Sequence, residues 1–324
     1  MGAVSDFLDR HFRHFNARET VAAAGAYRKH VDAGGRMLVS LAGAMSTAEI
    51  GTILARAIRA DMVHAICSTG ANAEEDLFNL LAGDRYRTVP DWRGLSARDE
   101  AALRRAGMNR VTDTCIPEDV MLDVERVLKE SWRDACRNGR KQYHWEYLYS
   151  VLREPGLLEG RDVESSWMLA AMEKGLPVYV PGWEDSTIGN AFTACVLKGG
   201  IPSHDCVRSG TEQFAHLIGW YEENCRPAGG GPSVGFLQVG GGIAGDFAIC
   251  AVPAIVQDLG RKDTPLWGYF AQVSDAVTSY GGYSGAVPNE KITWAKLGVD
   301  TPRFMIQSDA TIVVPLILGY VLGD

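Results

Sequence analysis

The sequence predicts an α/β fold, a mostly parallel sheet flanked by helices. Three observations predict it. Short apolar runs of strand length alternate with stretches of helix length. A glycine-rich turn, Gly240-Gly241-Gly242-Ile243-Ala244-Gly245, lies between one such run and a helical stretch. The 324 residues, 46% hydrophobic and 22% charged, have an ordinary globular composition and are enough to bury a sizeable core.

The elements follow in order. Residues 1 to about 35 read as a helical extension of a single domain spanning 1–324. Met37-Leu38-Val39-Ser40-Leu41 is a buried-strand pattern. Ser46 and Glu49 stand at capping-box spacing and predict a helix through Ile50, Ile53, Leu54 and Ile58. A second strand spans Met62 to Cys67, followed by a small-residue turn and a helix from about Glu74 to Leu81. Residues 83 to 160, rich in Arg, Asp and Glu, read as helices and loops inserted between sheet elements. Pro177 to Val180 is a short strand closed by Pro181. Val234 to Val239 is another strand, and a helix from Asp246 to about Leu259 follows it, kinked or started by Pro253. Leu266 to Ala271 closes the series. The apolar run Ile312 to Leu322 is too short to span a bilayer and contains Pro315.

Composition narrows the function. With 32 basic and 40 acidic side chains the formal charge is −8. The pI is about 5.4. Such a chain lacks the basic surplus that nucleic-acid binding needs. Asp6 and Asp9 interrupt the N-terminus, which does not read as a signal peptide, and no membrane association is expected. The seven cysteines are odd in number and form no Cys-x-x-Cys pair, so a reducing cytoplasm is the expected compartment. The seven histidines show no metal-ligand spacing, and no metal is expected.

Three segments could carry chemistry. The turn at 240–245 fits G-x-G-x-x-G between a strand and a helix, where glycine lets a pyrophosphate approach the backbone. Asp263, about 20 residues on, stands near where a ribose-binding acid is expected. A turn serving packing alone would use the same glycines. In Ser68 to Asp76, small residues end a strand and Glu74, Glu75 and Asp76 fall in the first helical turn. They either complement the helix dipole or face a cationic ligand. In Glu290-Lys291-Ile292-Thr293-Trp294-Ala295-Lys296, a continuous helix places Glu290 and Trp294 on one face, with Lys296 pointing away. A lysine nucleophile must be neutral, and burial beside an aromatic ring favours the neutral form. An exposed lysine on an amphipathic stretch is the alternative.

These segments, in this order, resemble the deoxyhypusine synthase family from about Arg36 to Asp324. The resemblance is strongest at 68–77, 177–192, 235–242 and 289–315. It implies a Rossmann-like NAD-dependent fold and a homotetramer with active sites at subunit interfaces. It also implies a reaction in which NAD takes a hydride from spermidine, a lysine captures the resulting imine, and an acceptor amine receives the 4-aminobutyl group. By resemblance Lys296 is the imine-forming lysine, Trp294 lies beside the aliphatic chain and Glu290 is a substrate-binding acid. Glu74 and Glu75 match the acidic pair of the amine site, and Asp185 matches an acid contacting NAD or amine. Gly43, Ser46, Thr47, Thr69, Gly70, Ala71, Gly241, Gly242, Asp275, Ala276, Asp309 and Ala310 match NAD-contacting segments.

The departures from the family pattern also matter. Gly245 and Asp246 stand where the family has Lys-His, the histidine being its proton-transfer group. Asn190 replaces a second acid of the amine site. Tyr280-Gly281-Gly282-Tyr283 replaces a loop with two aspartates. A pocket with fewer carboxylates should hold a shorter diamine, or hold its cation against Tyr280 or Tyr283. The pattern is similar to divergent bacterial deoxyhypusine synthase-like proteins, some of which make homospermidine. The expected activity is NAD-dependent transfer of a 4-aminobutyl group from spermidine or putrescine, through a lysine imine, to an amine such as putrescine. A deoxyhypusine synthase acting on a protein lysine of a translation-factor precursor and a catalytically silent NAD- or polyamine-binding scaffold are the alternatives.

Overall fold

A computed structural model describes residues 2–278 and 281–324. Two helices open the chain, α1 (Ala3–His11) and α2 (Phe15–Asp32). Then come β1 (Met37–Leu41), α3 (Gly51–Arg59), β2 (Ala65–Ser68), α4 (Gly70–Ala82), β3 (Arg87–Thr88), α5 (Ala97–Arg105), β4 (Met108–Val111) and β5 (Thr114–Pro117). The middle holds α6 (Glu118–Arg137), α7 (His144–Leu152), α8 (Trp167–Glu173), β6 (Val178–Tyr179), α9 (Thr187–Leu197) and α10 (Gly210–Asn224). The last part contains β7 (Gly235–Val239), α11 (Gly242–Ile249), α12 (Ala251–Pro253), β8 (Tyr269–Ser274), α13 (Glu290–Thr293), β9 (Arg303–Gln307) and α14 (Ala310–Leu322).

Six strands form one sheet in the order β6-β2-β1-β7-β8-β9. All of its pairings are parallel, and Leu38 pairs with Ala65 on one side and Phe236 on the other. This is the α/β fold the alternation predicts. Every residue of β1, β2, β7 and β8 is buried, which is why these strands read as unbroken apolar runs and do not alternate. Side chains still alternate between faces. Tyr269 points to α2, where its hydroxyl donates to Ala23 O, while the neighbouring Phe270 faces Phe236 and Lys291. The chain runs outward from β1 through β2 to β6 and returns to β7 on the other side of β1. That reversal opens a crevice at the carboxyl ends of β1 and β7, the usual ligand position in open α/β sheets.

Several expectations need correction. Ser46 caps no helix: its N–H donates to Asn72 Oδ1, its hydroxyl accepts from Trp167 Nε1, and α3 starts only at Gly51. The second strand starts at Ala65, because Met62 N–H closes the end of α3 on Ala57 O. Helix α4 starts at Gly70 with Thr69 as its cap, so the three acids fall in the second turn and gain little from the dipole. The region read as helices and loops contains a three-stranded antiparallel sheet, β3-β5-β4. Helix α11 begins four residues earlier than expected. The helical path breaks at Cys250 and widens to a π turn over Ala254–Asp258, after Pro253. The strand placed at 266–271 lies at Tyr269–Ser274, and the run from Ile312 is the core-facing helix α14.

Asp76 joins two layers of this fold. It is buried at the start of α8, accepting from Ser166 Oγ at 2.6 Å, Met168 N at 3.0 Å and Trp167 N at 3.3 Å. Removing it strands these donors away from water. Asp76→Ala should lower unfolding stability by about 2–4 kcal/mol, read as a lower urea midpoint at unchanged m-value.

Candidate active site

Helix α13 is one turn long, and its ending builds the site. Ala295 takes the left-handed conformation, φ 53°. Its N–H donates to Ile292 O at 3.1 Å, and the N–H of Lys296 donates to Lys291 O at 3.0 Å. This pair of bonds is the Schellman ending of a helix, which brings the side chains at its third-last position and second following position together. Here those positions are Lys291 and Lys296. The expectation of a continuous helix with Lys296 facing away is thus overturned. Both lysines line one cavity of ≈ 510 Å³ together with Asp246, Tyr283, Glu290 and Trp294.

Lys296 is 8% exposed, and its Nζ lies 3.1 Å from Asp246 Oδ1. The ring beside it is Tyr283, 5.5 Å from centroid to Nζ, whereas Trp294 is 64% exposed. Lys291 is more deeply placed, 3% exposed, with Nζ 4.8 Å from the Tyr283 centroid and 4.9 Å from that of Phe270. Burial, then the charge of Lys296, pushes its pKa down to about 8. Tyr283 is held by its hydroxyl, which donates to Gln238 Oε1 at 2.7 Å. Its ring therefore receives the chain's own ammonium groups. Tyr280, the other aromatic expected to hold a cation, lies outside the described residues.

A second cavity, of ≈ 760 Å³, fills the crevice at the strand ends. Thr47, Asp275, Asp309 and Ala310 line it, as expected of cofactor contacts, together with Gly240 and a wall from β3 and β5 that the sequence did not disclose. The crevice fits a dinucleotide: Gly240 brings bare backbone to its edge at φ 76°, and the N-terminus of α14 opens on it. The acid at the end of the strand after the glycine turn is Asp275. Asp263 precedes β8, at the opposite end of the sheet, and cannot serve there. The remaining matched residues, Gly43, Ser46, Thr69, Gly70, Ala71, Gly241, Gly242 and Ala276, do not line this cavity. Gly43 O accepts from Thr69 Oγ1, and Ala276 N–H donates to Ser274 Oγ. Gly70 is needed because a Cβ would lie 2.5 Å from that of Ser186, and Ala71 follows it in α4. A Cβ on Gly241 would meet Ser284 Oγ at 2.1 Å, and Gly242 N–H donates to that hydroxyl. These two glycines thus seat the turn carrying Tyr283 against α11.

The expected amine-site acids do not line the lysine cavity. Glu74 accepts from the N–H groups of Thr187 and Ile188 and closes the start of α9. Glu75 accepts from Thr47 Oγ1 at 2.6 Å, behind the crevice wall. Asp185 and Asn190 are exposed near the start of α9, Asn190 donating to Ser186 O. Burial, chiefly, pushes Glu75 up to about 7 and Asp76 to about 6. Because the folded state holds Glu75 protonated, its contribution is full below the ordinary carboxyl range and is lost as pH rises through about 7. Wild type should therefore lose stability relative to Glu75→Gln between pH 5 and 8, by on the order of 3 kcal/mol. Thermal melts across that range check it, and a constant difference refutes it.

The deoxyhypusine synthase family model matches residues 10–321. A deoxyhypusine synthase-like protein of Cyanothece sp. is 31% identical, the match covering 99% of this chain and 80% of that one. One from Thermosynechococcus vestitus is 29% identical over 99% and 79%. Among solved structures, an Entamoeba histolytica protein described as a deoxyhypusine synthase superimposes with a TM-score of 0.60 at 10% identity, covering 98% of this chain and 92% of that one, which shows a shared fold. With its parallel sheet, its switch-point crevice and its matched sequence, the chain belongs to the deoxyhypusine synthase family.

Proposed function

We propose that the protein transfers a 4-aminobutyl group between small amines through an imine on Lys296, using NAD, with putrescine as an acceptor that yields homospermidine. One observation carries the reading. The segments that follow β7 and β8 each reach both cavities, Gly240 and Asp275 at the crevice, Asp246 of α11 and Thr278 at the lysine cavity. A cofactor in the crevice would thus sit beside the lysine. Bound NAD would supply hydride acceptance from the carbon next to the donor's amine, and hydride return at the end.

The chain's own residues do the rest. Lys296 must lose a proton before its nitrogen attacks the imine carbon and the first amine leaves. Asp246, in contact with Nζ, holds the position of the family's histidine and is the nearest acceptor. Glu290 is exposed at the cavity mouth, where it can pair with a distal ammonium, and Trp294 offers an apolar wall. The cavity balances the carboxylates of Asp246 and Glu290 against two lysines, which suits a diamine better than a more highly charged polyamine.

The reading includes a homotetramer with active sites at subunit interfaces, in a reducing cytoplasm. Ile243, Val277 and Trp294 leave apolar surface exposed around the cavities. A second chain there could bring Asp185 and Asn190 to the site. All seven cysteines are free. Among the described residues no helix is long and apolar enough to cross a membrane, and no acidic, cysteine or histidine cluster could hold a metal.

Incubation with NAD, putrescine and spermidine, followed by mass spectrometry of the amines, tests the activity. Homospermidine should form with wild type, vanish with Lys296→Ala and form about 100-fold more slowly with Asp246→Asn. No new amine from any donor defeats the proposal, and transfer only to a translation-factor precursor defeats the choice of acceptor. Light scattering on the eluting protein should give four chains, and a monomer refutes the interface reading.

A further inference from the structure

Lys291 has no place in the chemistry just described, yet it is the most buried charged group of the cavity. Among the described residues its Nζ has no hydrogen-bond partner. Its compensation is the faces of Phe270 and Tyr283, at 4.9 and 4.8 Å. Leaving an ammonium unpaired at that depth is costly, and a methionine would fill the same slot without the cost. An unpaired amine on the wall of a cavity points to a ligand group that pairs with it.

The neighbours decide the charge of that group. Among the described residues, the other titratable side chains of the cavity are Asp246 and Cys250 from α11, Tyr283 from the turn after β8, Glu290 on α13, and Lys296. Asp246 is engaged with Lys296 at 3.1 Å. The Cys250 thiol also points to Asp246, at 3.6 Å, and burial pushes its pKa up, so it stays neutral. The Tyr283 hydroxyl donates to Gln238, and burial keeps it un-ionised. Glu290 is exposed at the mouth. The strongest charge acting on Lys291 is that of Lys296, of its own sign. A further ammonium brought to this wall would meet two cations, whereas a carboxylate would meet a partner.

We infer that Lys291 is a carboxylate subsite, and that the cavity takes as a second acceptor a short ω-amino acid such as 4-aminobutanoate. This molecule matches putrescine in length and carries a carboxylate at its far end. The inference rests on the transfer proposed above. In that reading Glu290 holds the ammonium end of the transferred group and Asp246 stays with the Lys296 nitrogen, so neither carboxylate is free for the acceptor's far end. The acceptor's neutral amine bonds to the imine carbon, the bond from that carbon to Lys296 Nζ breaks, and a proton from the attacking nitrogen returns to Lys296. The new imine is reduced by the hydride taken from the donor, giving N-(4-aminobutyl)-4-aminobutanoate. The carboxylate pairs with Lys291 and takes part in no bond change.

The pairing has a pH signature. Burial, then the charge of Lys296, pushes Lys291 down to about 8, and a bound carboxylate favours the charged form. Affinity for a carboxylate should therefore be flat below that value and fall as pH rises through it. The probe is pentanoate, a carboxylate with no amine, titrated calorimetrically into the intact protein without NAD or polyamine. Its affinity for wild type should fall about tenfold between pH 7 and 9. At pH 7 Lys291→Met should bind it at least about tenfold more weakly, and Lys291→Arg should still bind it. Absence of binding to wild type, or equal affinity in Lys291→Met, overturns the inference. So does a wild-type affinity that is constant across pH 8, which decides the case if the methionine variant fails to fold.

With NAD and putrescine present, 4-aminobutanoate should yield the carboxylated product, identified by mass, and Lys291→Met should make at least about tenfold less of it relative to homospermidine. Homospermidine without any carboxylated product overturns the choice of acceptor. Pentanoate binding that depends on Lys291, in a protein that makes no new amine, would fault the proposed transfer and leave the subsite standing.

Discussion

The site depends on two glutamines buried in the middle of the parallel sheet. Gln238 of β7 and Gln272 of β8 lie side by side in register, and both reach to the same turn. Gln238 accepts from the Tyr283 hydroxyl, and Gln272 donates to Ser284 O at 2.9 Å. Breaking either bond at this depth would leave a buried polar group unpaired, so the turn and the sheet hold each other in one arrangement. Everything nearby inherits that arrangement. Ser284 meets the start of α11 through Gly242 N–H, the bare Gly241 admits it, and Gly245 lets the Tyr283 ring close against the helix. The ring then fixes where two lysines can put their charge.

The carboxylates are divided in a way the net charge of −8 conceals. Three consecutive acids on α4 are consumed by the framework. Glu74 and Asp76 close the starts of α9 and α8, and Glu75 supports Thr47 beneath the crevice. Each carries a raised pKa from burial, so these acids weaken the fold as they ionise. What remains at the lysine cavity is Asp246 and Glu290, both reaching water. A family that handles cationic amines is represented here by a site that matches carboxylates with lysines.

The central strands were legible because burial on both faces leaves an apolar run whatever the neighbours are. The edge strand β9 and the inserted strands were not, although β6 at the other edge was read between its flanking prolines. The two residues of β3 are exposed, and β9 opens on Arg303 and is only half-buried, so neither carries a pattern. Ser46 shows the limit of local motifs: its capping spacing is correct, but Trp167 and Asn72, distant in sequence, claim the same atoms. At the site, Lys296 and Asp246 came from family resemblance and the crevice from the glycine turn. Lys291 was missed because a helical period was carried through 290–296. The signal that could have found it is the five-residue spacing of two lysines across a helix ending. Asp275 displaced Asp263 for a similar reason, since the end of the next strand decides that position and a fixed count along the chain does not.

The helix ending at Ala295 has a consequence for anyone seeking a hardier protein. A methyl group in the left-handed region costs about 1–2 kcal/mol, and glycine would remove that penalty. Glycine would also free the backbone where the two lysines are aligned, and the unfolded chain would gain entropy at the same position. Selection for heat resistance and selection for turnover would thus act on the same carbon atom and could pull it in opposite directions.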